Sequence, residues 1–286
     1  MTPLERVCRA STFVFDLDGC LYRGEEPAPG AADLLRDLVA AGRRIRYLTN
    51  NSFETREQIL ARLQRMGFPT EPGALVTALD VAARAIRRRR GPAAVLALGP
   101  AAMAAALQAE GHRVVDEEAW WEAAAVLVGR DTGLTYARLQ AAAWAIDAGA
   151  EFWACSRDAR LPGEGGRFYI GTGAIVALLE AATGRAPHIA GKPAPVMFQE
   201  ALELWGVRPE EAVMVGDSLA SDVRGARAAG LAAVWVRTGV ALAPGGVGHP
   251  SGSVGDAVPD VVVGDLGELR RLLAGPLRTA PRPAAR

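Results

Sequence analysis

Two aspartates, Asp16 and Asp18, follow the short apolar segment 13–15 and precede Gly19. The apolar segment is typical of a buried strand, and side chains two residues apart in an extended chain point the same way. The two carboxylates would therefore converge where the strand ends. Two like charges this close are costly unless a cation offsets them, and carboxylate oxygens are ligands that Mg²⁺ prefers. The pattern predicts a cation site.

An isolated Asp-x-Asp-Gly sequence also suits an ordinary turn, because aspartate and glycine both favour turns. A calcium loop of the EF-hand type begins in a similar way, but it requires glycine at its sixth position and glutamate at its twelfth. Leu21 and Pro27 occupy those positions, so an EF-hand loop is excluded. The choice between a turn and an active site depends on the rest of the chain.

A second polar group, Thr49, Asn50, Asn51 and Ser52, follows the alternating segment 44–48. The threonine hydroxyl and the two amides could bind an oxyanion, and the N-terminal amides of the following helix would add to such a site. Asparagine and serine before a helix are also typical N-caps. Both interpretations remain open for this segment.

Lys192 is the only lysine among 32 basic residues. It lies between Gly191 and Pro193, ahead of an amphipathic segment. An ammonium group is a compact point charge, whereas the guanidinium of arginine is a planar fork. Because the chain uses arginine everywhere else, this lysine indicates a site that needs a point charge, such as one oxygen of a phosphate or a carboxylate.

Two more aspartates follow the apolar segment 212–215 and Gly216. Asp217 would lie at a strand end, as Asp16 does, and is the expected third oxygen ligand of the cation. Asp222 lies near a predicted helix N-terminus. There it could complement the helix dipole, or it could support the metal ligands without binding the ion itself.

These four groups, in this order, resemble the four motifs of the haloacid dehalogenase-like hydrolase superfamily, and in particular its subfamily IIA. That branch contains p-nitrophenyl phosphatases, phosphoglycolate phosphatases and pyridoxal phosphatases. The resemblance implies hydrolysis of small phosphomonoesters through an aspartyl-phosphate intermediate. It makes Asp16 the nucleophile and Asp18 the general acid and base.

The resemblance also implies that Mg²⁺ is bound by Asp16, by Asp217 and by the main-chain carbonyl of Asp18, with Asp222 supporting this site. Phosphoryl oxygens would be held by charge and hydrogen bonds, which carry much of the rate in phosphoryl transfer. The substrate-binding residues that the resemblance implies are Thr49, Asn50, Asn51 and Lys192.

Three other functions compete with this one. A phosphotransferase or mutase of the same superfamily shares the aspartyl-phosphate step and stays open. A nicotinamide-dependent oxidoreductase is a distant alternative, because Gly171-x-Gly173 resembles a dinucleotide fingerprint whose third glycine is replaced by Val176. These glycines are expected instead in a turn that leads from an inserted cap domain back to the core domain. A phosphate-binding regulatory protein without activity would be expected to lack Asp16, Asp18 or Asp217. All three are present, so this function is not favoured.

The composition fits a small-molecule enzyme. The formal net charge is zero, with 32 basic and 32 acidic residues, so nucleic acid is not an expected partner. Neither a signal core nor an apolar stretch of membrane-spanning length is present, so no membrane association is expected. Three scattered cysteines predict neither disulfides nor a zinc site. We expect a cytoplasmic enzyme that acts on a small-molecule phosphate ester and forms a homodimer through its cap.

The alternation of apolar strands and amphipathic helices predicts an α/β protein: a three-layer, Rossmann-like parallel sheet core with an inserted α/β cap domain. The predicted core comprises residues 1–75 and 189–270, and the cap comprises residues 76–188. Residues 271–286 are predicted to be a disordered tail, and 244–255 a loop. The motif residues would lie at strand carboxyl ends, where open α/β sheets bind ligands.

The cap loop 154–162 is expected to select the substrate. Arg157 and Arg160 could neutralise a substrate carboxylate or bind hydroxyls through charge-assisted hydrogen bonds. Leu161 stands where the pyridoxal phosphatases carry a histidine, so a ring-stacking partner is missing. We therefore expect small polar or anionic esters, such as phosphoglycolate or glycerol phosphate, to be preferred over pyridoxal phosphate.

Overall fold

The computed structural model describes residues 2–162, 167–238 and 258–279. The chain divides into two compact units. The first unit comprises Met1–Thr49, Arg56–Val76 and Phe198–Arg286, and the second comprises Asn50–Thr55 and Thr77–Met197. The predicted loop 244–255 lies outside the described residues.

Strands alternate with helices through most of the described chain, as the sequence predicts. The strands are β1 (Thr12–Phe15), β2 (Tyr22–Arg23), β3 (Glu26–Pro27), β4 (Arg44–Thr49), β5 (Leu75–Thr77), β6 (Ala94–Leu98), β7 (Arg113–Val115), β8 (Ala125–Val128), β9 (Glu151–Ala154), β10 (Arg160–Pro162), β11 (Phe168–Ile170), β12 (His188–Ile189), β13 (Ala212–Gly216), β14 (Ala232–Val236) and β15 (Val261–Val263). The helices are α1 (Pro3–Arg9), α2 (Ala31–Ala40), α3 (Arg56–Arg65), α4 (Ala78–Arg90), α5 (Ala101–Ala109), α6 (Tyr136–Asp147), α7 (Thr172–Thr183), α8 (Pro195–Trp205), α9 (Arg224–Ala228) and α10 (Leu266–Thr279).

The sheet of the first unit has six described strands in the order β15-β14-β13-β1-β4-β5. Strand β1 pairs in parallel with β13 and β4, so that Phe15 is aligned with Val215 and with Tyr47. All residues of β1 and β13 are buried, as expected for inner strands covered on both faces. Parallel pairing in this register brings the residues that follow β1 and β13 to the same edge of the sheet.

The sheet of the second unit has five described strands in the order β12-β9-β8-β6-β7, all paired in parallel. Strands β6, β8 and β9 alternate with helices, which is the α/β pattern predicted for the cap. Strands β10 and β11 form a separate antiparallel pair. Both units are therefore α/β, and the predicted fold class is confirmed.

Helix α10 corrects one boundary. The tail was predicted to begin at residue 271, but the helix continues to Thr279, and Leu269 and Leu273 are fully buried in the core of the first unit. Arg270 of the same helix donates to Asp33 and Asp37 of α2. The prediction was therefore wrong for 271–279, because an amphipathic face with ion pairs stabilises a helix there. Residues 280–286 lie outside the described ranges.

The second unit also differs from the predicted cap in its extent. It includes Asn50–Thr55 and reaches Met197, so Asn50, Asn51 and Lys192 group with it by their contacts. In the parts of the chain that the structure describes, no helix has both the length and the apolar character needed to cross a membrane.

Candidate active site

Three carboxylates of the first unit lie together: Asp16, Asp217 and Asp222 each place an oxygen within 4.8 Å of the others. Asp16 directly follows β1, and its N–H donates to the carbonyl of Val215 at 2.9 Å. Asp16 is 8% exposed and Asp222 is 1% exposed, so this cluster is largely withdrawn from water. The parallel register of β1 and β13 explains how residues about 200 positions apart in sequence meet here.

Two glycines make room for these carboxylates. A Cβ at Gly19 would overlap with the carboxylate of Asp217. The backbone at Gly19 also has a φ of +89°, which residues with a side chain rarely adopt. A Cβ at Gly216 would overlap with the carboxylate of Asp222. The glycines of the first and fourth motifs are therefore required by close packing against aspartates as well as by turn formation.

The cluster fits a divalent cation. Three carboxylates this close, two of them buried, repel one another unless a cation is bound. The donor set consists of oxygens, which hard ions such as Mg²⁺ and Ca²⁺ prefer. Asp222 belongs to this carboxylate group. Its position therefore favours support of the metal ligands over a helix-dipole role alone. Its Oδ2 also accepts the N–H of Ser218 at 3.0 Å, which orients the carboxylate.

The carboxylate of Asp18 has a different environment from that of Asp16. Asp18 is exposed, and its Oδ2 lies 3.5 Å from the hydroxyl of Tyr22, which donates to it. Tyr22 is fully buried, and the guanidinium of Arg62 lies 5.0 Å from the centre of its ring. An exposed carboxylate two residues from the buried Asp16 is suited to exchanging protons with a substrate or with water.

Three supporting side chains of this site could not be predicted from the sequence. Tyr22 orients the carboxylate of Asp18, Trp235 donates its indole N–H to the carbonyl of Asp217 at 2.9 Å, and Thr238 donates its hydroxyl to the carbonyl of Gly19 at 2.9 Å. These contacts link the ends of β1, β13 and β14. Nothing in the local sequence around Trp235 or Thr238 signals them, since each depends on a partner far away in the chain.

The residues of the second motif belong to different units of the chain. Thr49 is buried at the end of β4, in the first unit. Asn51 belongs to the second unit, where its Oδ1 accepts the N–H groups of Phe53 and Glu54 at 2.9 and 3.0 Å. Asn51 therefore closes a local turn, but it does not cap α3, because that helix begins only at Arg56. The role of Asn51 in substrate binding stays a prediction.

The carboxamide of Asn50 binds the backbone of Lys192. Its Oδ1 accepts the N–H of Lys192 at 2.7 Å, and its Nδ2 donates to the carbonyl of Lys192 at 3.0 Å. Nδ2 also lies 3.4 Å from Oδ2 of Asp158, to which it donates. Lys192 is 4% exposed and precedes a cis peptide bond to Pro193. The second unit thus brings together residues of the second motif, the third motif and the predicted specificity loop.

The two arginines of that loop have protein partners. Arg157 donates to both carboxylate oxygens of Glu180 on α7, at 2.7 and 3.1 Å. The guanidinium of Arg160 lies 4.3 Å from the ring centre of Phe168 on β11. These contacts orient both side chains, and the ion pair offsets the charge of Arg157. A role of Arg157 in substrate binding stays a prediction.

The glycine pair that suggested a dinucleotide fingerprint has a packing role. Gly171 caps α7, and a Cβ at Gly171 or at Gly173 would overlap with backbone carbonyls of Asp158 and Arg157, respectively. The pair therefore lets the specificity loop pass close to the start of α7. The prediction that it forms the cap-to-core turn was wrong, because it lies inside the second unit.

Cys155, at the start of the same loop, is fully buried, and burial raises the pKa of its thiol to about 12. A thiol that stays protonated at neutral pH is a poor nucleophile. Nucleophilic chemistry at Cys155 is therefore not expected.

Comparison with known proteins agrees with this geometry. The model of the haloacid dehalogenase-like hydrolase family matches residues 13–113, and an HAD-hydrolase-like model matches residues 189–269. The glycerol-3-phosphate phosphatase of Homo sapiens is 37% identical over 254 residues, which cover 80% of this chain and 79% of that protein.

Solved structures are similar over most of the chain. The 4-nitrophenylphosphatase of Thermotoga maritima has a TM-score of 0.82 and 31% identity, covering 94% of this chain and 99% of its own. The glycerol phosphate phosphatase of Mycobacterium tuberculosis was solved in complex with calcium. It has a TM-score of 0.75 and 34% identity, and the match covers 84% of this chain and 69% of that protein's chain.

Proposed function

The chain belongs to the haloacid dehalogenase-like hydrolases, subfamily IIA, and is a phosphoric monoester hydrolase; we propose that it hydrolyses small phosphomonoesters with Mg²⁺ through an aspartyl-phosphate. The observation that carries this proposal is the carboxylate group formed by the buried Asp16 and Asp222 and the half-buried Asp217 at the carboxyl ends of β1 and β13. Its relatives named above are phosphatases, which supports hydrolysis as the reaction.

Asp16 is proposed as the nucleophile. One of its carboxylate oxygens forms a bond to phosphorus while the bond between phosphorus and the ester oxygen breaks. Asp18, acting as a carboxylic acid, gives its proton to the departing alkoxide, which leaves as an alcohol. Dividing one difficult displacement into two easier ones is the advantage of a covalent intermediate.

In the second step Asp18 is proposed as the base. It takes a proton from a water molecule, the water oxygen bonds to phosphorus, and the bond from phosphorus to Asp16 breaks. Inorganic phosphate leaves, and Asp16 is again a free carboxylate. The exposure of Asp18 and the hydroxyl of Tyr22 beside it suit a group that must reach both a leaving alkoxide and water.

A divalent cation fits the carboxylate group, and Asp16, Asp217 and the main-chain carbonyl of Asp18 are proposed to hold it, with Asp222 beside them. When bound, it would offset the negative charge of the phosphate and of the carboxylates. The calcium complex of the Mycobacterium tuberculosis relative supports a cation in this family. Mg²⁺ is proposed because it commonly serves phosphoryl transfer.

Thr49, Asn51 and Lys192 are proposed to bind the phosphoryl oxygens. A buried ammonium is a strong electrostatic partner for a phosphate oxygen, because few water molecules screen it. For the second unit we propose that the loop carrying Arg157 and Arg160 selects small polar or anionic esters. The similarity to a glycerol-3-phosphate phosphatase supports glycerol phosphate as the first candidate.

A phosphotransferase would use the same first step and pass the phosphoryl group to an alcohol instead of water. Adding an alcohol to the assay and comparing the amount of new ester with the amount of inorganic phosphate separates the two reactions. We expect inorganic phosphate to predominate. Cytoplasmic location and homodimer formation through the cap remain predictions.

The mechanism is tested with p-nitrophenyl phosphate as substrate. The parent protein should release p-nitrophenol with Mg²⁺ and lose this activity in EDTA. The Asp16→Asn variant, which keeps the size of the side chain, should lose about 10⁴-fold or more in kcat. Asp147→Asn makes the same change at an exposed position of α6 and should keep the parental rate. Parental turnover by Asp16→Asn, or full activity in EDTA, would contradict the mechanism.

A further inference from the structure

We infer that Asn50 is a positioning residue, which acts on the reaction through the backbone of Lys192 and not by binding the substrate. The inference rests on the proposed function, because it assumes that the ammonium of Lys192 binds the phosphoryl group. It changes the role of Asn50 from that of a direct oxyanion ligand.

The hydrogen bonds of Asn50 lead to this inference. A carboxamide has one acceptor oxygen and two N–H donors. In Asn50 the oxygen accepts from the N–H of Lys192 at 2.7 Å, one donor reaches the carbonyl of Lys192 at 3.0 Å, and Nδ2 lies 3.4 Å from a carboxylate oxygen of Asp158. The donors and the acceptor therefore all face protein groups. An additional direct bond to a substrate oxygen would compete with these bonds.

The two hydrogen bonds between the carboxamide of Asn50 and the backbone of Lys192 are called the clamp. One side chain engages both the N–H and the C=O of a single residue, so it fixes the orientation of that residue as well as its distance. The preceding residue, Gly191, allows this approach, because a Cβ there would overlap with the carbonyl of Cys155 and crowd the side chain of Asn50. Any side chain at position 191 would push the clamp apart.

Fixing the backbone of Lys192 matters for its ammonium. A lysine side chain is long and flexible, so the position of its charge depends on where its Cα is held. Electrostatic stabilisation of a transition state requires that the stabilising group, here the ammonium of Lys192, be in position before the reaction begins. The chain meets this requirement with a carboxamide 142 residues away in sequence. Asp158, which binds the same carboxamide, ties the specificity loop to the clamp.

The chain offers a direct measurement, because Lys192 is its only lysine. Protein labelled with ¹⁵N-lysine gives one backbone amide signal, and this signal reports on the bond to Asn50. We expect this amide to exchange with solvent about tenfold faster in Asn50→Ala than in the parent, the effect of losing one hydrogen bond. In the same variant kcat for p-nitrophenyl phosphate should fall by about 10²-fold, as expected for a displaced catalytic group. KM should change much less than kcat.

A second variant keeps the test decisive if Asn50→Ala folds poorly. Asn50→Asp retains an oxygen for the N–H of Lys192 but loses the donor to its carbonyl and adds a charge facing Asp158. It should lower kcat while keeping the Lys192 amide partly protected. Gln140→Ala, which removes a carboxamide from α6 in the same unit, serves as the control and should leave both the exchange rate and kcat unchanged.

Two results would overturn the inference alone. The first is an active parent whose Asn50→Ala variant exchanges the Lys192 amide at the parental rate. The second is faster exchange with kcat unchanged, or with a rise in KM as the main effect, as a direct substrate ligand would give. An inactive parent would instead contradict the proposed function, and the inference would fall with it.

Discussion

The Cα of Gly216 lies directly against the carboxylate of Asp222, so closely that a Cβ at position 216 would overlap with it. The same carboxylate accepts the N–H of Ser218 at 3.0 Å, in the turn that follows β13. Asp222 is thus held on two sides. Its position beside Asp16 and Asp217 depends on the absence of a side chain at Gly216.

Replacing Gly216 by alanine should therefore displace Asp222 and disturb the carboxylate group. We expect the affinity for Mg²⁺ to weaken by about 10–100-fold, as is typical when groups that orient metal ligands are changed. The measurement is the rise of the melting temperature with Mg²⁺ concentration. Gly275→Ala makes the same change where no atom would meet the new Cβ, and it should leave the Mg²⁺ dependence unchanged. A parental Mg²⁺ response in Gly216→Ala would contradict the role given to Asp222.

Replacing Lys192 by arginine should lower kcat by about 10²–10³-fold, although the charge is kept. The physical reason is that Lys192 is buried and held by its backbone, so a longer planar guanidinium cannot place its charge at the same point. Steady-state kinetics with p-nitrophenyl phosphate give the rate, and circular dichroism at the same temperature verifies folding. A folded Lys192→Arg protein with near-parental kcat would show that the reaction does not need a point charge at this position.

The specificity loop should determine which ester is preferred. Removing both cations in an Arg157→Ala, Arg160→Ala variant should lower kcat/KM for phosphoglycolate and glycerol 3-phosphate by about tenfold, because charge-assisted hydrogen bonds to the substrate are lost. Pyridoxal phosphate, expected to be a poor substrate of the parent, should be affected less.

The control for this variant is Arg185→Ala, which removes an exposed arginine from the same unit. The ion pair between Arg157 and Glu180 adds a further comparison. Arg157→Ala, Glu180→Ala removes the pair without leaving a lone charge, so a change in preference there reports on the substrate and not on an unpaired glutamate. A parent that prefers pyridoxal phosphate would refute this assignment of specificity.

Stability should decline in alkali because of Cys155. Burial raises the pKa of this thiol to about 12 from its ordinary value of 9.0, so between these values the unfolded chain loses the proton while the folded chain keeps it. The free energy of unfolding should therefore be unaffected by this group below pH 9 and fall above it. The slope is at most about 1.4 kcal/mol per pH unit.

This prediction is measured by denaturant unfolding of the parent and of Cys155→Ala at pH 7, 8 and 10. The difference in free energy between the two proteins should be the same at pH 7 and 8 and shrink at pH 10. Burial also raises the pKa of Tyr47, so Cys155→Ala should keep part of the alkaline decline. An identical pH dependence in both proteins would contradict the role of the thiol.

Much of the fold could be predicted from the sequence because its signals are local. Apolar runs such as 13–15 and 212–215 coincide with β1 and β13, since inner strands of a parallel sheet are buried on both faces. The order of the motifs likewise placed Asp16 and Asp217 at one sheet edge, because parallel strands end at the same side. The length of α10 was missed, since burial of Leu273 depends on the rest of the core.

The sequence by itself determined which residue types could do the chemistry, namely the carboxylates that follow strands and the single lysine. Only the tertiary structure decided their partners: Asp222 beside Asp16, Tyr22 at Asp18, Glu180 at Arg157, and Asn50 at the backbone of Lys192. The physical reason is that a hydrogen bond or ion pair acts over a few ångströms in space. Most of these partners are far apart in the chain, and composition and spacing carry no record of which distant groups the fold brings together.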